Sequence, residues 1–124
     1  MRMCIMKRLK YPLTNGTHTK TLDYLTKHLN EIDEDPFGIR WIMREGIWMP
    51  DDSVDYSPFP DLIVGYDEYA VPVELKLSYK HKDHAVKQLE EGKRWVEEHT
   101  NKYCQCGKFV MPNGKGFIYE EITI

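Results

Sequence analysis

The sequence predicts an α/β domain in which a mixed central sheet carries a helix on each side. Three observations predict it. Leu22, Leu25, Leu29 and Ile32 recur at helical spacing, which marks one amphipathic helix over residues 17–32. Between Pro60 and Ser78, two short apolar runs flank the polar pair Asp67-Glu68, which is a hairpin signal. Ala85, Leu89, Gly92 and Val96 then mark a second helix over residues 81–99, ahead of one or two further strands. Strands that meander and then cross over through a helix make a mixed sheet, with the helices covering its faces.

Taken in order, residues 1–12 are short and basic and read as a strand or an arm, limited by Pro12. Asn15-Gly16 is a turn or helix-start signal. The first helix follows and is stopped by Asp33-Glu34-Asp35-Pro36 and Gly38. Residues 39–49, rich in Ile, Trp and Met, read as a strand that Gly46 can break. Residues 50–60 hold three prolines and little periodicity and read as a loop. After the hairpin and the second helix, where Gly92 permits close packing, residues 102–111 alternate as a strand. Residues 112–116 form a turn, and residues 117–124 form the last strand.

At 124 residues the chain reads as one domain over 1–124, without internal repeat or linker. With 41% hydrophobic and 30% charged residues it is expected to fold rather than to stay disordered. No apolar run approaches membrane-spanning length, and the first eight residues are too short and charged for a signal peptide. Three cysteines, two of them in Cys104-Gln105-Cys106, do not form a secreted disulfide framework, so a reducing, cytoplasmic setting is expected. The net charge of −3 argues mildly against a dedicated nucleic-acid binder. Its distribution softens that objection: Lys76, Lys80, Lys82, Lys87, His81 and His84 stand against Asp83 alone over residues 76–87.

The hairpin carries charges where strands this apolar would bury them. Asp61, Glu74 and Lys76 interrupt the apolar runs, and Asp, Glu and Lys are almost never fully buried unless paired. Glu74 and Lys76 share one face of their strand, with Val73, Leu75 and Leu77 on the other. If the strands pair across the 67–68 turn, facing residues have numbers that sum to about 135, which sets Asp61 opposite Glu74. Two carboxylates at one level repel unless a cation sits between them, and hard oxygen donors of this kind suit Mg²⁺. Phosphodiester hydrolysis needs such an ion, together with a cation for the charge that grows in the transition state. Asp61 and Glu74, with the backbone carbonyl of Leu75, are the candidate metal ligands. Lys76, about 6 to 7 Å along the strand from Glu74, is the candidate catalytic cation.

Pro60-Asp61 followed thirteen positions later by Glu74-Leu75-Lys76 resembles the PD-(D/E)xK nuclease motif. The flanking Asp61-Leu62-Ile63-Val64-Gly65 and Val73-Glu74-Leu75-Lys76-Leu77-Ser78 are similar to archaeal Holliday-junction resolvases and related small nucleases. The resemblance extends over roughly residues 17–122, but its specific part is residues 60–78. It implies a restriction-endonuclease-like αβββαβ core and a Mg²⁺- or Mn²⁺-dependent DNA endonuclease. It also implies Asp61 and Glu74 as metal ligands and Lys76 as catalytic cation. Relatives carry an acid on the first helix, for which Asp23, Glu31 and Glu34 are the candidates, and a glutamine on the helix after the lysine strand, where Gln88 stands. Thr19-Lys20-Thr21 replaces the Glu-Arg pair of the archaeal resolvases, and Gly92 stands where some exonucleases have tyrosine.

Other readings compete. Asp61, Glu74 and Lys76 also fit an exposed cross-strand salt bridge of little energetic weight. A nuclease-fold DNA-binding or assembly module without its own cleavage is the alternative function, and RNA is the alternative substrate. Asp51, Asp52 and Asp55 offer a second metal site, and His81 and His84 offer a phosphate contact or a base. Cys4, Cys104, Cys106 and His99 offer zinc, although alternating cysteines are more often buried apolar residues. Trp41, Trp48 and Trp95 are expected in the core or in a dimer interface. So small a chain offers little surface for a duplex, which favours a homodimer.

Overall fold

A computed structural model describes residues 14–44, 59–114 and 116–124. The expected arm, the loop over 50–58, the strand beyond residue 44, Cys4, Trp48, Asp51, Asp52 and Asp55 lie outside the described residues. The described elements are α1 (Thr14–Lys27), β1 (Trp41–Arg44), β2 (Leu62–Gly65), β3 (Ala70–Leu75), α2 (Lys82–His99), β4 (Cys106–Asn113) and β5 (Gly116–Thr123). Short 3₁₀ turns follow α1 at Leu29–Glu31 and precede α2 at Tyr79–His81. The fold is α/β, with a mixed, open sheet of five strands in the order β1-β2-β3-β4-β5. All neighbours are antiparallel except β3 and β4, which the α2 crossover makes parallel.

The β2–β3 hairpin has the expected register. Leu62 pairs with Val73, Ile63 with Pro72, Val64 with Val71 and Gly65 with Ala70, so each pair sums to 135. Both strands are buried throughout, as central strands covered on two faces must be. One face packs Leu62, Val64, Val71, Val73, Leu75 and Val110 against Leu22, Leu25, Leu29 and Ile32. The other packs Ile63, Ala70 and Cys104 against Val96, with Trp41 and Trp95 partly buried beside them. The two described tryptophans therefore serve the core. Gly92 is tightly enclosed: a Cβ there would stand 2.8 Å from both Pro60 and Pro72.

Several boundaries differ from expectation. The first helix was expected over 17–32, but its α-helical part ends at Lys27 and tightens into the 3₁₀ turn. The Thr26 hydroxyl takes the Leu22 carbonyl and a His28 ring nitrogen takes that of Tyr24, both from the helical ladder. Leu29 and Ile32 nevertheless stay on the buried stripe. The strand expected from residue 102 begins at Cys106, because residues 102–105 serve the hairpin turn. Tyr103 bridges Tyr69, and the Lys102 ammonium donates to the carbonyls of Tyr66 and Asp67. Pro112 and Asn113, expected in a turn, pair with Phe117 and Gly116. The reversal is tighter than expected because Gly114 takes a left-handed conformation at φ 64°. Among the described residues no helix is long and apolar enough to cross a membrane.

Candidate active site

The open end of the hairpin gathers the charges that the strands bury. Asp61 precedes β2 and Glu74 lies within β3, each one position beyond the last paired residues, Leu62 and Val73. The Asp61 amide donates to Glu74 Oε1 at 2.9 Å, and the Leu75 amide donates to Asp61 Oδ2 at 2.9 Å. Each carboxylate is thus tied to the backbone of the opposite strand. Lys76 follows β3, its amide donating to the Val110 carbonyl as the parallel ladder continues. Its Nζ lies 3.2 Å from Glu74 Oε2, closer than the strand rise alone implies because the long stem folds back. Glu74 is only 2% exposed, whereas the Lys76 side chain is 17% exposed and reaches solvent. The reading as an exposed surface salt bridge does not describe this pair.

A fourth group completes the cluster. His18 Nε2 of α1 donates to the Leu75 carbonyl at 3.1 Å and lies 3.4 Å from Asp61 Oδ2. Sequence reasoning missed it. Its signal was the Leu22–Ile32 stripe itself, which carried back one turn places His18 on the buried side of the helix.

The electrostatics follow from this crowding. Burial pushes the Glu74 carboxyl well above its usual range, and the charge of Asp61 pushes it further, while Lys76 and His18 only partly offset them. Burial acts on Asp61 in the same direction, but the His18 cation, its contact and the Leu75 amide outweigh it and hold Asp61 below the usual value. For His18, burial alone would lower the imidazole. The charge and contact of Asp61, with Glu74 and the Leu75 carbonyl, win and raise it to about 9, so it is a cation at neutral pH.

Gln88 is a buried residue of α2, and its Nε2 donates to the Phe59 carbonyl at 3.3 Å, two residues before Asp61. It thereby braces the entry into the site. The candidate acids of the first helix go elsewhere. Asp23 pairs with Arg44 at 2.7 Å. Glu31 and Glu34 lie beyond the end of α1, where Glu31 stands near Gly116 and Glu34 near Tyr119. Among the described side chains of α1, His18 reaches the carboxylates, a cation in place of an acid.

The ligand chemistry fits a hard divalent cation. Asp61 Oδ2 and the Leu75 carbonyl converge on one point, which the positive His18 nitrogen now approaches, and the donors at this end are all oxygen. Among the described residues no three His, Cys, Asp or Glu side chains gather to hold a metal unaided. The Leu75 carbonyl and water or substrate oxygens would have to complete the shell. The elements expected for zinc are apart in function: Cys104 is buried ahead of β4 with its thiol pushed up to about 11 by burial, and His99 stacks on Trp95.

Beyond Lys76, the basic side chains of the 3₁₀ turn and of α2 crowd together. Lys80, His81, His84 and Lys87 are exposed and make no ion pair among the described residues. His84 is held below its usual value, by burial first and then by Lys76, Lys87 and His81. No family model, curated protein or solved structure matches the chain.

Proposed function

We propose that the chain is a divalent-cation-dependent deoxyribonuclease of the PD-(D/E)xK, restriction-endonuclease-like type, acting as an endonuclease on structured DNA. The observation that carries this reading is the pair of ties across the open end of the hairpin, from the Asp61 amide to Glu74 and from the Leu75 amide to Asp61, with Lys76 on Glu74. The αβββαββ order of elements and the crossover through α2 support it, as do the exposed cations Lys80 and Lys87.

Asp61, Glu74 and the Leu75 carbonyl would hold Mg²⁺ or Mn²⁺, and the ion would supply Lewis-acid polarisation of the scissile phosphate and a hydroxide near neutral pH. The chain's own residues do the rest. Lys76 places a positive charge on a flexible stem at the edge of the buried carboxylates, where it can meet the phosphate oxygens as they gain charge. Gln88 fixes the Phe59–Asp61 backbone, so that Asp61 presents its oxygen at a constant place. His18 neutralises Asp61 while no substrate or ion is bound. A second copy of the chain would double the contact with DNA, which makes a homodimer the proposed working form.

Cleavage of plasmid, single-stranded and four-way-junction DNA in Mg²⁺ or Mn²⁺, with Glu74→Ala as control, tests the reading. Cleavage that disappears in the variant is expected. A protein that cuts none of these substrates in either metal sinks the enzyme claim.

One observation favours a second reading, a nuclease-fold module that binds DNA without cutting it. The two carboxylates are already matched by two cations, His18 and Lys76. Calorimetric titration separates the readings: DNA binding that needs no metal, together with no turnover, supports the module.

A further inference from the structure

Glu74, Phe109 and Glu120 stand level on three adjacent strands, in the pairings Glu74–Phe109 and Phe109–Glu120. Their side chains point to the face covered by α2, so Phe109 is the immediate lateral neighbour of the candidate metal ligand, one strand spacing of about 4.8 Å away. Phe109 is buried, and the ring of Tyr79 packs edge-on against it at a centroid distance of 5.8 Å. Lys82 clamps Tyr79 from another side. Its Nζ lies 5.3 Å from the ring centre, 3.1 Å from the hydroxyl and 2.9 Å from Glu120 Oε2. The result is a ring held by Phe109 and Lys82 and still 56% exposed, three residues after Lys76. Lys80, His81, His84 and Lys87 follow it in the chain, exposed and without ion-pair partners among the described residues.

A rigid, half-exposed ring beside a phosphate-handling centre, within a cationic field, has the chemistry of a base-stacking platform. A nucleic-acid strand offers negative phosphates to the lysines and a π-face to the ring. In a continuous duplex both faces of each base are covered by its neighbours, so only an unstacked base can use such a ring. We propose that Tyr79 stacks an unpaired nucleobase next to the scissile phosphate, and that the preferred substrate has unpaired bases at the cut. This deepens the nuclease reading and rests on it for the word scissile, whereas the stacking itself needs no cleavage.

The test therefore measures binding. The wild-type chain is titrated, in buffer with chelator, into a short DNA single strand carrying 2-aminopurine, and into the same strand within a duplex. Stacking on an aromatic ring quenches that base. Quenching on the single strand and none on the duplex is expected. Tyr79→Phe keeps the quenching. Tyr79→Leu, which retains apolar packing against Phe109 but has no π-face, abolishes it and weakens single-strand affinity by about tenfold or more, leaving duplex affinity unchanged. A circular-dichroism spectrum that matches wild type establishes that the leucine variant is folded. Quenching that persists in Tyr79→Leu, or no binding of the single strand by wild type, overturns the proposal. A chain that quenches through Tyr79 but never cuts in Mg²⁺ or Mn²⁺ overturns the nuclease reading and leaves the platform standing. A chain that cuts while Tyr79→Leu binds and quenches like wild type does the reverse.

Discussion

The β2–β3 hairpin has two ends, and they treat charge in opposite ways. At the turn end, Arg40 grips Asp67 with two hydrogen bonds, of 2.7 and 3.1 Å. Lys102 there caps the carbonyls of Tyr66 and Asp67, and the Tyr66 hydroxyl donates to Asp33. Asp67 and Asp33 each face a donor there, and the Arg40–Asp67 pair is open to water. At the other end two carboxylates are crowded together, Glu74 is sealed from solvent, and the compensating cations are His18 of α1 and Lys76 of the same hairpin. The turn end relieves its electrostatic tension in a pair that water reaches. The open end keeps it, as a site does when its carboxylates serve something other than stability.

The sharpest way to break this contrast is to neutralise Glu74. In Glu74→Gln, DNA cleavage is expected to fall by about 10²-fold or more, while the melting temperature at neutral pH does not fall. The sign follows from the raised carboxyl: ionised Glu74 costs stability at every pH above its ordinary value of 4.5, and an amide never ionises. Lys76 loses a partner but has solvent to turn to. Thermal melts and cleavage rates on the same preparations check both halves. A large drop in melting temperature would mean that the open end is built for stability, like the turn end.

Next in size is Gly92→Ala. Alanine favours the helix by about 1 kcal/mol, but its Cβ would meet Pro60 and Pro72 at 2.8 Å, and neither ring can yield. Overpacking of this kind costs about 1–3 kcal/mol, so a net loss of stability is expected, with a melting temperature lower by about 3 °C or more. Pro60 precedes Asp61 and Pro72 lies two residues before Glu74, so the strain enters at the open end. Cleavage should fall more than stability does, which parallel melting and rate measurements decide.

How much of this was legible in the sequence depends on what each residue reports. The register of the hairpin was legible because the polar pair Asp67-Glu68 marks the turn and so sets one alignment, and a one-residue slip would turn every side chain over. That alignment brought Asp61, Glu74 and Lys76 together before any coordinates. The helix-and-strand order followed from apolar stripes of unequal period. Boundaries were less legible where side chains compete for backbone groups, as Thr26 and His28 do at the end of α1. His18 was not legible as a partner, because no local pattern states which strand a helix residue will face. The lysine at 108 was equally silent. It is buried in β4, its ammonium donates to the Ile32 carbonyl and it lies 5.0 Å over the Tyr119 ring. An alternating strand pattern predicts an apolar residue at such a position.

His18 supplies a smaller, pH-resolved test of the same contrast. Its imidazole is raised to about 9 in the folded chain from an ordinary value of 6.5. A raised cation contributes stability that is complete below the ordinary value and disappears as pH rises through the folded one. In metal-free buffer, wild type should therefore exceed His18→Gln in melting temperature by a steady margin below pH 6.5, and that margin should close as the pH approaches 9. A margin that ignores pH across this window would show that His18 acts by packing and not by charge.

The smallest effect is expected at the turn end. Arg40→Ala removes a two-point ion pair of good geometry, yet the side chains of Arg40 and Asp67 are 59% and 72% exposed. Water solvates both partners once the pair is broken, and freezing a long arginine side chain offsets what Coulomb attraction contributes. The Arg40 amide still donates to the Gly65 carbonyl at 2.7 Å, and Lys102 still caps the turn, so the backbone keeps its course. The melting temperature should stay within measurement error, and raising the salt concentration should not separate variant from wild type. If Arg40→Ala instead lowers stability as far as Gly92→Ala does, the turn end is under strain as well, and the two ends differ in exposure alone.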